Sequence, residues 1–141
     1  CHSLVSSLGL GDHVRFLGFQ NIRDIMPRLG VMVLTSISEA QPLVILEAWC
    51  AGTPVVSTDV GSCRELIEGA GEEDQRLGSA GEVIPIADPQ ATAFAIQRLL
   101  QEPARWADAQ KVGLQRVTRL YSDELMFSRY RDIYRAATGD N

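Results

Sequence analysis

Glu39 and Glu47, eight positions apart in SEAQPLVILEAWCAGTPVV (Ser38 to Val56), are the residues best placed to do chemistry. A carboxylate accepts two hydroxyl hydrogen bonds at once, as from the paired hydroxyls of a sugar. Glu47 sits among Leu43, Val44, Ile45, Leu46, Ala48, Trp49, Cys50 and Ala51. An unpaired carboxylate buried in such company costs several kcal/mol or shifts its pKa. One reading therefore gives Glu47 a donor partner, of which the ribose of a nucleotide is a familiar case. The other makes Glu47 the solvent-facing residue of its helix and Glu39 an ordinary loop charge. Spacing alone leaves both open.

The elements that must position this pair read as strand, loop and helix. VMVLTS, Val31 to Ser36, is an apolar run short enough for a strand buried on both faces. SISEAQ follows as a loop, and a helix is expected over 42–51, closed by Gly52. In an open parallel sheet, ligands sit beyond the carboxyl ends of the strands, so Glu39 should lie at that rim. The N–H groups of Gln41, Leu43 and Val44 then fall at a helix N-terminus, whose partial positive charge suits a phosphate. Pro42 has no N–H to offer but presets the first turn.

Around this centre the same alternation continues. Residues 1–8 read as the end of a helix, VRFLGF (Val14 to Phe19) as a strand over 14–18, and IRDIMPRLG as a short helix interrupted by Pro27. Val55 to Thr58 is a third apolar run. In GSCRELIEG, Ser62 and Glu65 have capping-box spacing. Residues 68–82, rich in Gly and acidic side chains, read as a surface loop, and Glu82 to Ile86 as a last strand, at an edge because of Pro85. Asp88 caps a helix with Pro89 at its first position, and Phe94, Ile96, Leu99 and Leu100 are expected to pack inward. Helices near 103–120 and 122–137 follow, the last with a stripe of Met126, Tyr130, Ile133, Tyr134 and Ala137. Strands alternating with helices imply an α/β fold with a Rossmann-like parallel sheet and flanking helices.

Composition narrows the function classes. The chain has 141 residues, 45% of them hydrophobic, enough for one domain with a real core. Net charge is −5, which argues against a nucleic-acid or anionic-membrane surface held by bulk electrostatics. Cys1, Cys50 and Cys63 have no CxxC spacing, so a reduced, cytoplasmic setting is expected, with Cys50 a small hydrophobe in its helix. His2 and His13 are isolated, and no zinc site is expected. No apolar run approaches the roughly 20 residues of a membrane span, and residues 1–20 do not read as a signal peptide. Gly-x-Gly-x-x-Gly, Walker A, nucleophile-elbow and HExxH sequences are absent. Residue chemistry stops at an anion or nucleotide site at the mouth of the loop 36–44.

TSISEAQPLVILEAWCAGTPVVSTDVGSCRELIEG as a whole resembles the donor-binding domain of retaining GT-B glycosyltransferases of the GT4 type. The resemblance rests on the E-x7-E spacing of Glu39 and Glu47, then Ala-Gly-Thr-Pro-Val-Val at 51–56, Asp59-Val60-Gly61 and Glu65. It covers about residues 4–136, and the wording looks most like the branch that makes the Pel exopolysaccharide. It implies that Glu39 meets the donor sugar as a catalytic residue and that Glu47 holds the ribose. It also implies that the backbone at Ala40, Gln41, Leu43 and Val44 cradles the diphosphate, and that main chain near Gly18 and Phe19 borders the nucleobase. No metal and no cofactor is implied; the donor would be a nucleotide sugar, UDP-glucose first. Implied partners are a growing polysaccharide acceptor and, for the full-length protein, a membrane synthase complex.

Two departures from the family pattern matter. Ala40 stands where the family commonly has Gly after the first Glu. The family's donor domain also opens with two further strands, a helix, and an Arg and a Lys that neutralise the diphosphate. The chain begins at Cys1, so residues 1–141 are expected to be a partial C-terminal domain truncated at its N-terminus and lacking the N-terminal acceptor domain. In a 3-2-1-4-5-6 sheet, strand 14–18 is number 3 and loses its neighbour; pairing with 31–35 or with another chain is expected instead. The fragment alone is expected to be inert and to bind UDP weakly. Two alternatives stand beside the enzyme: a nucleotide-binding half domain without chemistry, and a GT-B UDP-sugar epimerase. Cys63 and Arg64 read either as lining the phosphate side or as packing and surface residues.

Overall fold

The computed structural model describes residues 1–139. In chain order, α1 (His2–Ser7) leads through an unpaired segment to α2 (Ile22–Ile25) and a 3-10 turn at Met26–Arg28. The centre is built from β1 (Met32–Leu34), α3 (Leu43–Cys50), β2 (Val55–Thr58), α4 (Cys63–Glu68), α5 (Glu72–Gln75) and β3 (Gly81–Ile84). α6 (Pro89–Gln101), α7 (Pro103–Leu120) and α8 (Asp123–Thr138) complete the chain.

The sheet is parallel, in the order β1-β2-β3. Met32 pairs with Val55, and Val55 with Gly81. β2 has neighbours on both edges and helices on both faces, so all four of its residues are buried. Its alternation divides the core. Val55 joins Ile45, Ala48, Trp49, Cys63, Leu66 and Val112 on the face covered by α3, α4 and α7. Val56 joins Ile84, Ala95 and Leu99 on the face covered by α6.

AGTPVV at 51–56 has a clear physical content. Gly52, at φ +73°, turns the chain out of α3. The Thr53 N–H donates to Ala48 O at 2.8 Å, and its buried hydroxyl donates to Met26 O at 2.8 Å, tying the 3-10 turn to the end of α3. Pro54 O accepts from Met32 N at 2.9 Å, which starts the β1–β2 ladder.

Several expectations need correction. Residues 14–18 form no strand; Arg15 to Phe19 are exposed, Phe19 fully at 100%. β1 pairs only with β2, so the expected pairing of 14–18 with 31–35 does not form. An extended segment with no adjacent strand has no ladder to join, and its backbone turns to water. Val33 is 39% exposed, against the expectation of a strand buried on both faces, because α6 packs over β2 and β3 rather than over β1. Phe94 and Leu100 are also exposed; the buried stripe of α6 is Ala95 and Leu99, and Phe94 lies under the Arg98 guanidinium, 5.6 Å from the ring centre. Cys50 is exposed and Cys63 is the buried thiol. The stripe on α8 packs against no core, and no residue of that helix is buried.

The acidic stretch 68–82 is not all loop, since α5 forms within it. The cause is Arg116, a residue the sequence did not single out. Its guanidinium, in the middle of α7, is fully buried and bonds Asp74 Oδ1 at 2.6 Å through Nε. Nη1 donates to Leu66 O and Ile67 O, at 3.1 and 2.7 Å. Nη2 donates to Asp74 O and Gly78 O, at 3.1 and 2.9 Å. All five N–H groups are thus satisfied, as a buried cation requires. Arg116→Met is expected to lower stability by about 3–5 kcal/mol, because it strands the Asp74 carboxylate and four carbonyls. Urea denaturation followed by fluorescence of buried Trp49 measures it; a loss below about 1 kcal/mol would show that the network does not hold α5 in place.

Candidate functional site

Two loops meet at the carboxyl end of the sheet. One runs from β1 through Ser36 and Glu39 into α3; the other follows β2 through Asp59, Val60 and Gly61 into α4. Three contacts lock them. The Thr58 hydroxyl donates to Ser36 O at 2.6 Å, and the Ser62 N–H donates to Ala40 O at 2.9 Å. Gly61, at φ +52°, lies so close that a Cβ there would stand 2.1 Å from Glu39 O and 2.7 Å from Ala40 O. This explains why Ser62 does not cap α4 as expected. Its N–H is committed to Ala40, its backbone sits at φ −88°, ψ 9° rather than extended, and its Oγ is buried without a partner.

Glu39 is half-buried, and its Oε1 accepts from the Ser36 hydroxyl at 2.6 Å. Ala40 and Gln41 are exposed beside it, and Leu43 and Val44 open α3. The N–H groups of Leu43 and Val44, in the first turn, have no acceptor within the helix and face the carboxyl end of the sheet. Pro42 precedes them with β-region backbone, outside the helix rather than at its first position.

Glu47 is exposed. The premise that a buried carboxylate demands a partner is therefore corrected. α3 is apolar because it buries Ile45, Ala48 and Trp49, and Glu47 lies off that stripe. It is not remote from the loop, however. Gln41, Leu43 and Glu47 line one cleft of about 850 Å³, closed on other sides by Arg23, Met26 and Tyr130. Burial, and next the Asp74 carboxylate, push the phenol of Tyr121, also in this cleft, above its usual range. The structure thus brings Gln41, Leu43 and Glu47 together, with Glu39 and Ala40 on the adjoining loop. Val44 is half-buried against the core, and Gly18 and Phe19 belong to the unpaired exposed segment.

Cys63 is a core residue. Arg64 bridges Asp59 at 2.8 Å and Glu68 at 2.9 Å on the surface, and the hydrogen bonds it donates, first to Asp59 and then to Glu68, raise its pKa further. Among the described residues no group of three His, Cys, Asp or Glu is placed to hold a metal ion, and no helix is long and apolar enough to cross a membrane. Sequence reasoning missed Ser36 and Thr58 and assigned Gly61 no task. The available signals were a hydroxyl three residues before Glu39 and a glycine just past the end of an apolar strand.

Comparison with known proteins places this arrangement. The family model described as glycosyl transferases group 1 matches residues 2–102. The lipopolysaccharide core biosynthesis mannosyltransferase LpsB of Rhizobium meliloti is 34% identical over 121 residues, which are 85% of this chain and 33% of the relative. Sucrose-phosphate synthase from Thermosynechococcus elongatus superposes with a TM-score of 0.85 at 29% identity, over 99% of this chain and 34% of the other. HepE from Anabaena, in complex with UDP, gives a TM-score of 0.85 at 22% identity, over 96% of this chain and 35% of its own. The chain thus spans about a third of the proteins it matches, and the neighbours agree with the C-terminal half of a GT-B fold.

Gly61→Ala tests the lock between the loops. The added methyl meets a carbonyl oxygen in a left-handed backbone, so a loss of about 2–3 kcal/mol is expected, with faster amide exchange at Gln41 and Leu43. Unchanged exchange at those amides would mean that Gly61 does not set the loop.

Proposed function

The chain belongs to the group 1 glycosyl transferases, and from that premise we propose that it is the donor-binding part of an enzyme that moves a hexose from a nucleotide sugar to a growing polysaccharide with retention of configuration. One observation carries the reading. Glu39 and the first free N–H groups of α3 share a single loop, and that loop is pinned from the end of β2 by Thr58 and Gly61. A helix N-terminus facing the carboxyl end of a parallel sheet suits a diphosphate.

In this reading the N–H groups of Gln41, Leu43 and Val44 receive the diphosphate, with Ala40 beside them. When the bond from the anomeric carbon to the phosphate oxygen breaks, the electron pair goes to the diphosphate, and the N–H groups stabilise the charge that develops there. Glu39 accepts from the sugar hydroxyls, and Glu47 accepts from the ribose hydroxyls across the cleft. The main chain near Gly18 and Phe19 meets the base. The acceptor hydroxyl attacks on the face the diphosphate leaves and gives its proton to the departing diphosphate oxygen. No metal or other cofactor is invoked, and a cytoplasmic enzyme of the Pel type, with UDP-glucose as donor, is the specific form proposed. The LpsB relative is named for mannosyl transfer, so GDP-mannose is the competing donor.

The test uses the intact protein. Calorimetry with UDP, UDP-glucose and GDP-mannose is expected to favour the uridine compounds. Glu47→Gln is expected to weaken UDP binding about 10- to 100-fold, the range for losing hydrogen bonds to a charged group. Glu39→Gln is expected to slow transfer about 100-fold while UDP affinity stays within about 3-fold. Residues 1–141 alone are expected to turn over no UDP-sugar. Tighter binding of GDP-mannose moves the donor, and UDP binding indifferent to Glu47→Gln removes the ribose contact.

A further inference from the structure

We propose that Ser36 is a positioning residue that holds the Glu39 carboxylate in one orientation, with Thr58 fixing Ser36 in turn; this rests on the reading of Glu39 as the group that meets the donor sugar. The Ser36 hydroxyl donates to Glu39 Oε1 at 2.6 Å, the length of a hydrogen bond to an ionised carboxylate. The Ser36 carbonyl accepts from the Thr58 hydroxyl at 2.6 Å. Thr58 is the last residue of the central strand and is 2% exposed. A chain of contacts therefore runs from the most deeply buried strand, through Ser36, to one oxygen of Glu39.

The surroundings show why this matters. Ile37, Ser38 and Ala40 are exposed, so nothing adjacent in the loop packs the Glu39 side chain in place. A glutamate in such a loop otherwise samples several rotamers, and freezing it costs conformational entropy. Ser36 meets that cost before substrate arrives. Among the described residues Ser36 provides the side-chain donor to Oε1, and Oε2 is left for a ligand. A carboxylate fixed at one oxygen and open at the other is pre-organised for a developing charge rather than adapted to it afterwards.

The experiment is a double-mutant cycle in the intact protein. UDP or GDP release is measured with whichever of UDP-glucose, UDP-galactose, UDP-N-acetylglucosamine and GDP-mannose the wild type turns over fastest. Ser36→Ala is expected to lower kcat about 10- to 100-fold with KM for the donor within about 3-fold. In the Glu39→Ala background the same change is expected to alter kcat by less than about 3-fold, because the acceptor that Ser36 orients is already gone. Independent losses in the cycle overturn the proposal, as does a Ser36→Ala enzyme with wild-type kcat, or one whose lost activity tracks a lowered melting temperature. If Glu39→Ala alone turns over normally, the role of Glu39 fails first; if it is impaired while Ser36→Ala is not, only the role of Ser36 fails.

Discussion

The main-chain oxygens of Glu39 and Ala40 come so near to residue 61 that glycine alone fits between the two loops, and this close approach sets the geometry of everything at the carboxyl end of the sheet. A methyl at 61 would lie 2.1 Å from Glu39 O and would push the loop outward, and with it the start of α3. The hydrogen bonds from Thr58 and Ser62 then act on a loop already seated, which is why they reach good lengths. Sheet order, through the end of β2, is in this way converted into the position of a carboxylate.

Behind the site the domain is held by two unlike means. On the α6 face the buried residues Val56, Ile84, Ala95 and Leu99 form an apolar cluster, with the Arg98–Glu82 ion pair at its edge. On the other face the apolar cluster continues into the Arg116 network, which gathers the end of α4, the start of the β3 segment and α5 around one guanidinium. Gly113, one turn before Arg116, lets α7 come close to Trp49, since a Cβ there would lie 2.6 Å from the indole. α7 can therefore approach α3 closely and still place its cation under the 66–78 segment.

Much of the framework was legible because its causes are local. VVST is apolar throughout and is fully buried; Asp88 accepts from Ala91 N at 2.8 Å just before Pro89, as the sequence indicates. α7 and α8 begin and end close to their expected bounds. What escaped depends on distant partners. Nothing near Arg116 in the sequence announces carbonyls 38 to 50 residues away. Val14 to Phe19 has strand-forming residues, but a strand exists only if another lies beside it. Phe94 and Leu100 are apolar yet lie to either side of the stripe that meets the sheet. At the site, the loop between β1 and α3 was legible from the strand-loop-helix pattern, whereas spacing left the burial of Glu47 open, because the apolar count of a helix does not say which way one residue faces. The Ser36–Glu39 contact is local and could have been read; the Thr58–Ser36 contact joins the end of β2 to the loop after β1, 22 residues away, and could not.

The strand order has a consequence for how the domain comes to exist. Each strand pairs with its immediate successor in the chain, and both crossovers pass on the same side, through α3 and then α4. A nascent polypeptide leaving the ribosome can therefore zip this half of the sheet in the order of its synthesis, without waiting for a distant segment to return. α6, which packs over β2 and β3, has its full docking surface only once the third strand is in place.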